Sequence, residues 1–265
     1  MNNQIISNSQ NTYSFLSRTQ CLRVSDGNIK SVLDDCWNAP QLLVIIWSLL
    51  GDFDSLEYAW WLQRERKLLS NKGIAVRAIG IGDRDSGLKF CKYTGFAPEC
   101  LFVEEKAEIH SQLGLYGGLS IQFPLLSVSQ KAWLNFLVMC TGIGSPGTMK
   151  EVFRGYIGDK KAPQLITDDE FLDFTPLPVI KGSLFNLTGG KGFQRPFELA
   201  TLRLRNMIHV LSNWNTYMSN TSYLVQRGGT FLFDAQGCLI YEHRDRGILG
   251  FAEDMGNPLS FLGNY

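Results

Sequence analysis

Six cysteines are the residues of this chain best suited to chemistry, and their spacing limits what that chemistry can be. They fall at Cys21, Cys36, Cys91, Cys100, Cys140 and Cys238. There is no C-x-x-C pair and no repeated short interval, so neither a secreted disulfide scaffold nor a cysteine zinc site is expected. His110, His209 and His243 are far apart, and none lies three or four positions from a Cys or another His. No metal site is therefore expected, unless folding gathers ligands that are distant in sequence. Cys91 and Cys100 are the closest thiols, on either side of the turn 94–98. They form a candidate catalytic pair if the end of the preceding helix packs beside the start of the next strand; the other reading is a set of buried, inert thiols. Cys140 and Cys238 lie in apolar runs and read as core.

A second constellation is acidic. Asp52-Phe53-Asp54-Ser55, with Glu57 close behind, follows the most apolar run of the chain. Ser55 acting as a nucleophile would need an adjacent base, and no His is near it in sequence. The D-x-D pattern is similar to that of haloacid dehalogenase-type phosphatases, where one Asp attacks phosphate and the other works as acid and base. That motif directly follows its strand, whereas Ser48-Leu49-Leu50-Gly51 intervenes here, which leaves a phosphatase as a remote alternative. Gly189-Gly190-Lys191-Gly192 lacks the G-x-x-x-x-G-K-S/T spacing of a phosphate loop and reads as a flexible turn. No cofactor is expected.

The elements that must hold these residues come from a chain of 265 residues, 45% hydrophobic and 19% charged, which is the composition of a folded protein. Lys+Arg and Asp+Glu are both 25, so there is no basic excess to neutralise phosphates and nucleic acid is not the expected partner. The longest apolar run, 42–50, is less than half of the ~20 residues a membrane span needs. Residues 1–19 are rich in Asn, Gln and Ser, without the charged start and apolar run of a secretory signal, and read as a flexible cytoplasmic tail.

Residues 42–47 (LLVIIW) predict a strand buried on both faces. A helix over 54–69 follows, with Asp54 as its N-cap and Glu57 three residues on, an Asp form of the capping box. Strands over 74–81 and 100–103 alternate with helices over 86–93 and 106–113, the arrangement of parallel strands joined by crossovers. From about 120 to 223 the pattern is helix and loop. It includes an apolar helix over 131–140, an amphipathic one over 148–156, an extended linker marked by Pro176 and Pro178, and the longest helix over 196–214, with Pro196 in its first turn. Arg195, Arg203 and Arg205 give that helix a basic edge, read as a solvated face or a surface for an acidic partner. Residues 230–233 and 238–241, about the turn 235–237, predict an antiparallel hairpin.

The order of β-α-β-α, a later hairpin and a final helix is that of a thioredoxin fold with about a hundred extra residues between its halves. The segments LLVIIWSLLGDFDSLEYAWWL (42–62), GIAVRAIGIGDRDSGLKFCKYTGFAPECLFVEEKAEIHSQLGLY (73–116) and RGGTFLFDAQGCLIYEHRD (227–245) narrow the choice. The chain resembles the AhpC/TSA group of thioredoxin-like proteins and, within it, the peroxiredoxin-like-2 family. The resemblance covers roughly 20–122 and 223–265, with a mostly helical insertion over 123–222. Residues 142–159 and 189–207 are similar to a branch found in cyanobacteria and plastids.

The resemblance implies a reactive cysteine at the start of the helix after the first central strand, where free N–H groups and the helix dipole lower a thiol's pKa. Residues 51–57 contain no sulfur. Ser55 stands nearest that position, and the carboxylates of Asp52 and Asp54 can occupy the N–H groups that would have held a thiolate. The family's later arginine corresponds to Arg227, offset by about one residue, which can instead pair with Asp52 or Asp54. Gly228-Gly229 replaces the cis-proline common in thioredoxin-like proteins.

Two functions follow. One is a redox-inactive binding or assembly protein, its insertion presenting a surface to a protein partner such as a photosynthetic complex. The other is a divergent antioxidant or thiol-disulfide oxidoreductase using Cys91 and Cys100. A cytoplasmic location is expected, with thylakoid association in a cyanobacterium, a plastid stroma for relatives, and helix 131–140 available for peripheral membrane contact. Oligomeric state is not readable.

Overall fold

A computed structural model describes residues 9–36, 38–174, 177–218 and 220–265. In chain order the first half contains α1 (Ser9–Arg18), β1 (Gln20–Arg23), β2 (Ile29–Ser31), β3 (Gln41–Leu49), α2 (Phe53–Arg64), α3 (Arg66–Asn71), β4 (Ile74–Ile81), α4 (Arg84–Thr94), β5 (Leu101–Glu104) and α5 (Glu108–Gln112). The middle contains α6 (Val128–Cys140), α7 (Thr148–Ile157), β6 (Phe171–Phe174), β7 (Leu177–Lys181), α8 (Asn186–Gly189), α9 (Glu198–Ser212) and α10 (Trp214–Tyr217). The chain then returns to the sheet with β8 (Gly229–Asp234) and β9 (Leu239–Arg244).

Seven strands form one sheet in the order β2-β1-β5-β4-β3-β8-β9. β3, β4 and β5 run parallel, and β8 lies antiparallel on the far side of β3. The β8–β9 pair is the expected hairpin. β3 alternates strictly between two cores. Leu43, Ile45 and Trp47 join the cluster under α2, α4 and α9, whereas Leu42, Val44 and Ile46 join the one under α1 and α5. Burial of both faces is why its sequence reads as a continuous apolar run rather than an alternation. This is a mixed α/β, thioredoxin-like fold.

Several elements differ from the sequence expectation. Part of the expected N-terminal tail is α1, whose Leu16 is fully buried and whose Tyr13 ring meets Phe233 edge-on at 5.4 Å. The single helix over 54–69 is two helices that begin earlier, with a break at Glu65. Pro178 lies in β7 of a small two-stranded hairpin and not in an unpaired linker; Pro176 is outside the described residues. α9 begins at Glu198, past Pro196, because Phe197 takes a left-handed conformation with φ 66°. The expected final helix is a single 3-10 turn, Ser260–Asn264, that buries Phe261 and Leu262. Among the described residues no helix is long and apolar enough to cross a membrane.

Candidate functional site

The end of β3 and the start of α2 carry the acidic constellation into the protein interior. Gly51 makes the turn between them possible, since a Cβ there would lie 2.6 Å from the Cβ of Tyr217. Asp52, not Asp54, is the N-cap of α2: its Oδ1 accepts the Asp54 N–H at 3.1 Å. Its Oδ2 accepts the Ser48 hydroxyl at 3.0 Å and the Arg227 Nη2 at 2.7 Å. A residue at the N-cap has extended backbone and turns its side chain back to a first-turn N–H, while a residue in the first turn can face inward. Asp54 does the latter. It accepts the Leu249 N–H at 2.8 and 3.0 Å and faces Arg227 Nη1 at 3.4 Å. Glu57, fully buried, does not fold back on the cap but grips Arg203 of α9 at 2.7 and 3.1 Å.

Ser55 is 1% exposed, donates its hydroxyl to the Leu49 carbonyl at 3.0 Å, and has the Ser48 hydroxyl 3.3 Å away. It has no base beside it, which removes the geometry of a serine nucleophile. Arg227 is equally committed. Besides the two aspartates it donates to the carbonyls of Leu224 at 2.8 Å and Val225 at 3.2 Å. The D-x-D carboxylates are thus buried, paired and closed to a phosphate ester.

A further member of the site, Asp245, went unread in the sequence. Asp245, just after β9, accepts the Gly228 N–H through Oδ2 at 3.1 Å, while its buried Oδ1 has no hydrogen-bond partner. His243 Nε2 lies 3.8 Å from that oxygen. The signal was hairpin register: pairing Gly229 with Arg244 sets Asp245 against Gly228. A bulge at Leu232/Phe233 shifts that register within the hairpin, so counting back from the turn misses it. Gly228 must be glycine here, because a Cβ would stand 2.1 Å from the Ile46 carbonyl oxygen.

Two aspartates therefore pair with one guanidinium in a dry interior, and a third, Asp245, feels its charge without touching it. Burial, then the Asp52 charge, holds the Asp54 carboxyl well above the usual carboxylate range. Burial likewise pushes Asp245 up to about 7, although Arg227 pulls it down. Burial and like charge keep Asp54 and Asp245 high, the opposite of a pocket that lowers a thiol's pKa.

Burial raises the thiols of Cys21, Cys36, Cys91, Cys100 and Cys140. Burial pushes Cys91 of α4 up to about 12, and the neighbouring Glu99 and Cys100 add to it. Cys100, half-buried, is also raised by burial, even though Arg77 Nη1 approaches its sulfur at 3.5 Å. All six cysteines are free. Cys238 is exposed in the hairpin turn and is not core, because the turn at Gly237 lifts it off the sheet. Cys140, at the end of α6, feels the charges of Asp52, Arg227 and Asp54, so it is a thiol the fold brings to the acidic site. Burial still raises it, to about 11.

The basic edge expected on α9 is largely internal. Arg195 is fully buried against Glu198 at 2.7 Å, Asp168 at 3.0 Å and the Ile166 carbonyl. Arg203 is held by Glu57 and the Glu151 carbonyl. Lys191, in the glycine-rich turn, pairs with Asp168 at 2.7 Å. Among the described residues no group of three His, Cys, Asp or Glu side chains could hold a metal ion.

No curated protein matches the chain. The model of a family described as AhpC/TSA antioxidant enzyme matches residues 61–247, beginning inside α2, beyond Asp52, Asp54 and Ser55, and running past β9. A match over well more than half of the sequence, on a thioredoxin-like sheet, assigns the chain to the AhpC/TSA family.

Proposed function

We propose that this protein is a redox-inactive member of its family, a peroxiredoxin-like scaffold that works by binding or assembly. One observation carries the reading: the start of α2 holds Asp52, Asp54 and Ser55 in place of a thiol, and Arg227, the cation that could serve peroxide, is saturated by the two aspartates. Peroxide reduction needs a thiolate beside free N–H donors, and neither is on offer there. The segment 123–222 supplies the surface for a protein partner, with Phe153, Ile157 and Leu187 standing 58, 71 and 83% exposed. Similarity of 142–159 and 189–207 to cyanobacterial and plastid relatives directs the search for that partner to photosynthetic complexes, and for the protein itself to the cytoplasm or the thylakoid surface.

Cys91 and Cys100 support the second reading, a relocated redox pair, through the Arg77 contact at Cys100. Peroxide challenge of the reduced protein, followed by intact mass and cysteine mapping, separates the two. The binding reading expects no rapid sulfenic acid or disulfide at any buried thiol. Rapid formation of a Cys91–Cys100 disulfide would overturn it.

A further inference from the structure

α7 is built inside out. Its inward face carries Thr148, Glu151, Arg154 and Gly155, whereas Met149, Phe153, Tyr156 and Ile157 stand 41 to 71% exposed. The inward charges cancel among themselves: Arg154 binds Glu151 at 2.7 Å, and Arg203 of α9 approaches the same carboxylate at 3.6 Å while gripping Glu57. α7 passes close to α9 at Gly155, where a Cβ would make ordinary contact, 3.5 Å from the Ala200 nitrogen.

Beside this neutral seam lies a cavity of about 420 Å³, within the range of roughly 300–1,000 Å³ typical of small-molecule sites. Its base is Phe53, the first residue of α2, and Leu249, whose N–H holds Asp54; its walls include Ala200 and Met207, and its mouth Tyr156 and Phe197. The charged residue of its lining, Arg203, and the hydroxyl of Thr148 are already engaged. Arg203 is neutralised as above, and the Thr148 hydroxyl donates to the Ile248 carbonyl at 2.8 Å. A charged ligand would lose its hydration here and find no unpaired counter-charge.

The mouth is held at an energetic disadvantage. Phe197 sits at φ 66°, a backbone region that a residue with a bulky side chain rarely adopts. That conformation leaves its ring 51% exposed, edge-on to Tyr156 at 6.2 Å. Strain and exposure at one aromatic residue beside an apolar cavity are the features of a ligand clamp.

We infer that this cavity binds a neutral, largely apolar small molecule with an aromatic or similarly flat body, packed on Phe53 and covered by Tyr156 and Phe197. The edges and faces of three rings favour such a body over a flexible chain. The inference goes beyond the proposed function and needs nothing from the thiols, so each can fail without the other.

The test uses N-phenyl-1-naphthylamine, an uncharged aromatic probe that fluoresces in apolar surroundings, with the full-length protein. Saturable one-to-one binding is expected. Ala200→Trp, which fills the cavity, and Met207→Glu, which charges its half-exposed wall, should each weaken it tenfold or more; the second variant keeps the test valid if the first does not fold. Phe153→Glu, on the exposed face of α7 outside the cavity, should leave it unchanged. Cys140 lines the same cavity, so in a Cys238→Ser background the probe should slow its alkylation by N-ethylmaleimide several-fold. Absence of saturable binding would overturn the proposal. So would binding abolished by Phe153→Glu but insensitive to Met207→Glu, which would place the probe on the outer face of α7, as a lipid surface would be.

Discussion

Replacing Asp245 with Asn should stabilise the protein above neutral pH and weaken it in acid. Burial raises this carboxyl from 3.8 to about 7, against the pull of Arg227. Between those two values the folded state binds more protons than the unfolded one, so stability falls as pH rises through the window and the full cost is felt above about pH 7. A shift of about three pKa units corresponds to about 4 kcal/mol. The side chain is 6% exposed, so solvent screening takes little from that figure. Asn retains an oxygen for the Gly228 N–H, but its amide nitrogen would inherit the unpartnered position of Oδ1, at a cost of about 1–3 kcal/mol. The net expectation is a gain of about 1–3 kcal/mol at about pH 8 and a loss of about 1–3 kcal/mol at about pH 4, where only the cost of the unpartnered amide remains. Urea unfolding followed by tryptophan fluorescence at the two pH values measures it. The groups facing Asp245, namely Arg227, Asp52, Asp54 and His243, are unchanged in the variant, so the difference reports this carboxyl. If Asp245→Asn lost stability equally at both pH values, Asp245 would be an ionised partner of Arg227, and the account of a proton-holding site would be wrong.

Arg227→Ala strands the Asp52 and Asp54 carboxylates in a dry interior and should cost about 3–5 kcal/mol in an unfolding titration. A change within about 1 kcal/mol would refute the pairing. Ser55→Cys places a thiol at the position nearest the family's reactive cysteine, yet it would be buried beside three carboxylates with the Leu49 carbonyl as its acceptor. No peroxide consumption is expected from this variant; measurable turnover would mean that the missing sulfur alone had silenced the site.

The sheet was legible because its signal is local. The run 42–47 has no other way to bury six apolar side chains than to use both faces, and β8–β9 announces itself through a short turn. The acidic site was half legible: carboxylates after a strand must be capped or paired, and Arg227 was available, but which aspartate capped and which turned inward depends on backbone angles that composition does not carry. Arg195 and Arg203 were misread because a buried guanidinium resembles a solvated one in sequence. Arg203's partner, Glu57, is about 146 positions away. Phe197 carried no sign of its left-handed backbone, and Pro196 before it suggested a conventional helix start. α1 was missed because its polar composition hides the few side chains, Tyr13 and Leu16 among them, that dock it.

The pairing of β3 with β8 also sets an order of events during synthesis. Gln41 pairs with Asp234 and Ile46 with Gly229, so β3, an interior strand of the sheet, waits for a neighbour about 190 residues downstream. β4 and β5 can join on one side as soon as they emerge, but the other edge of LLVIIW stays open until the whole intervening segment has left the ribosome. Such a long-range contact slows folding, and an uncovered apolar edge invites pairing with other chains. The nascent protein is therefore most vulnerable to aggregation in the interval when its helical middle is being made, and a holding chaperone would find its target in β3.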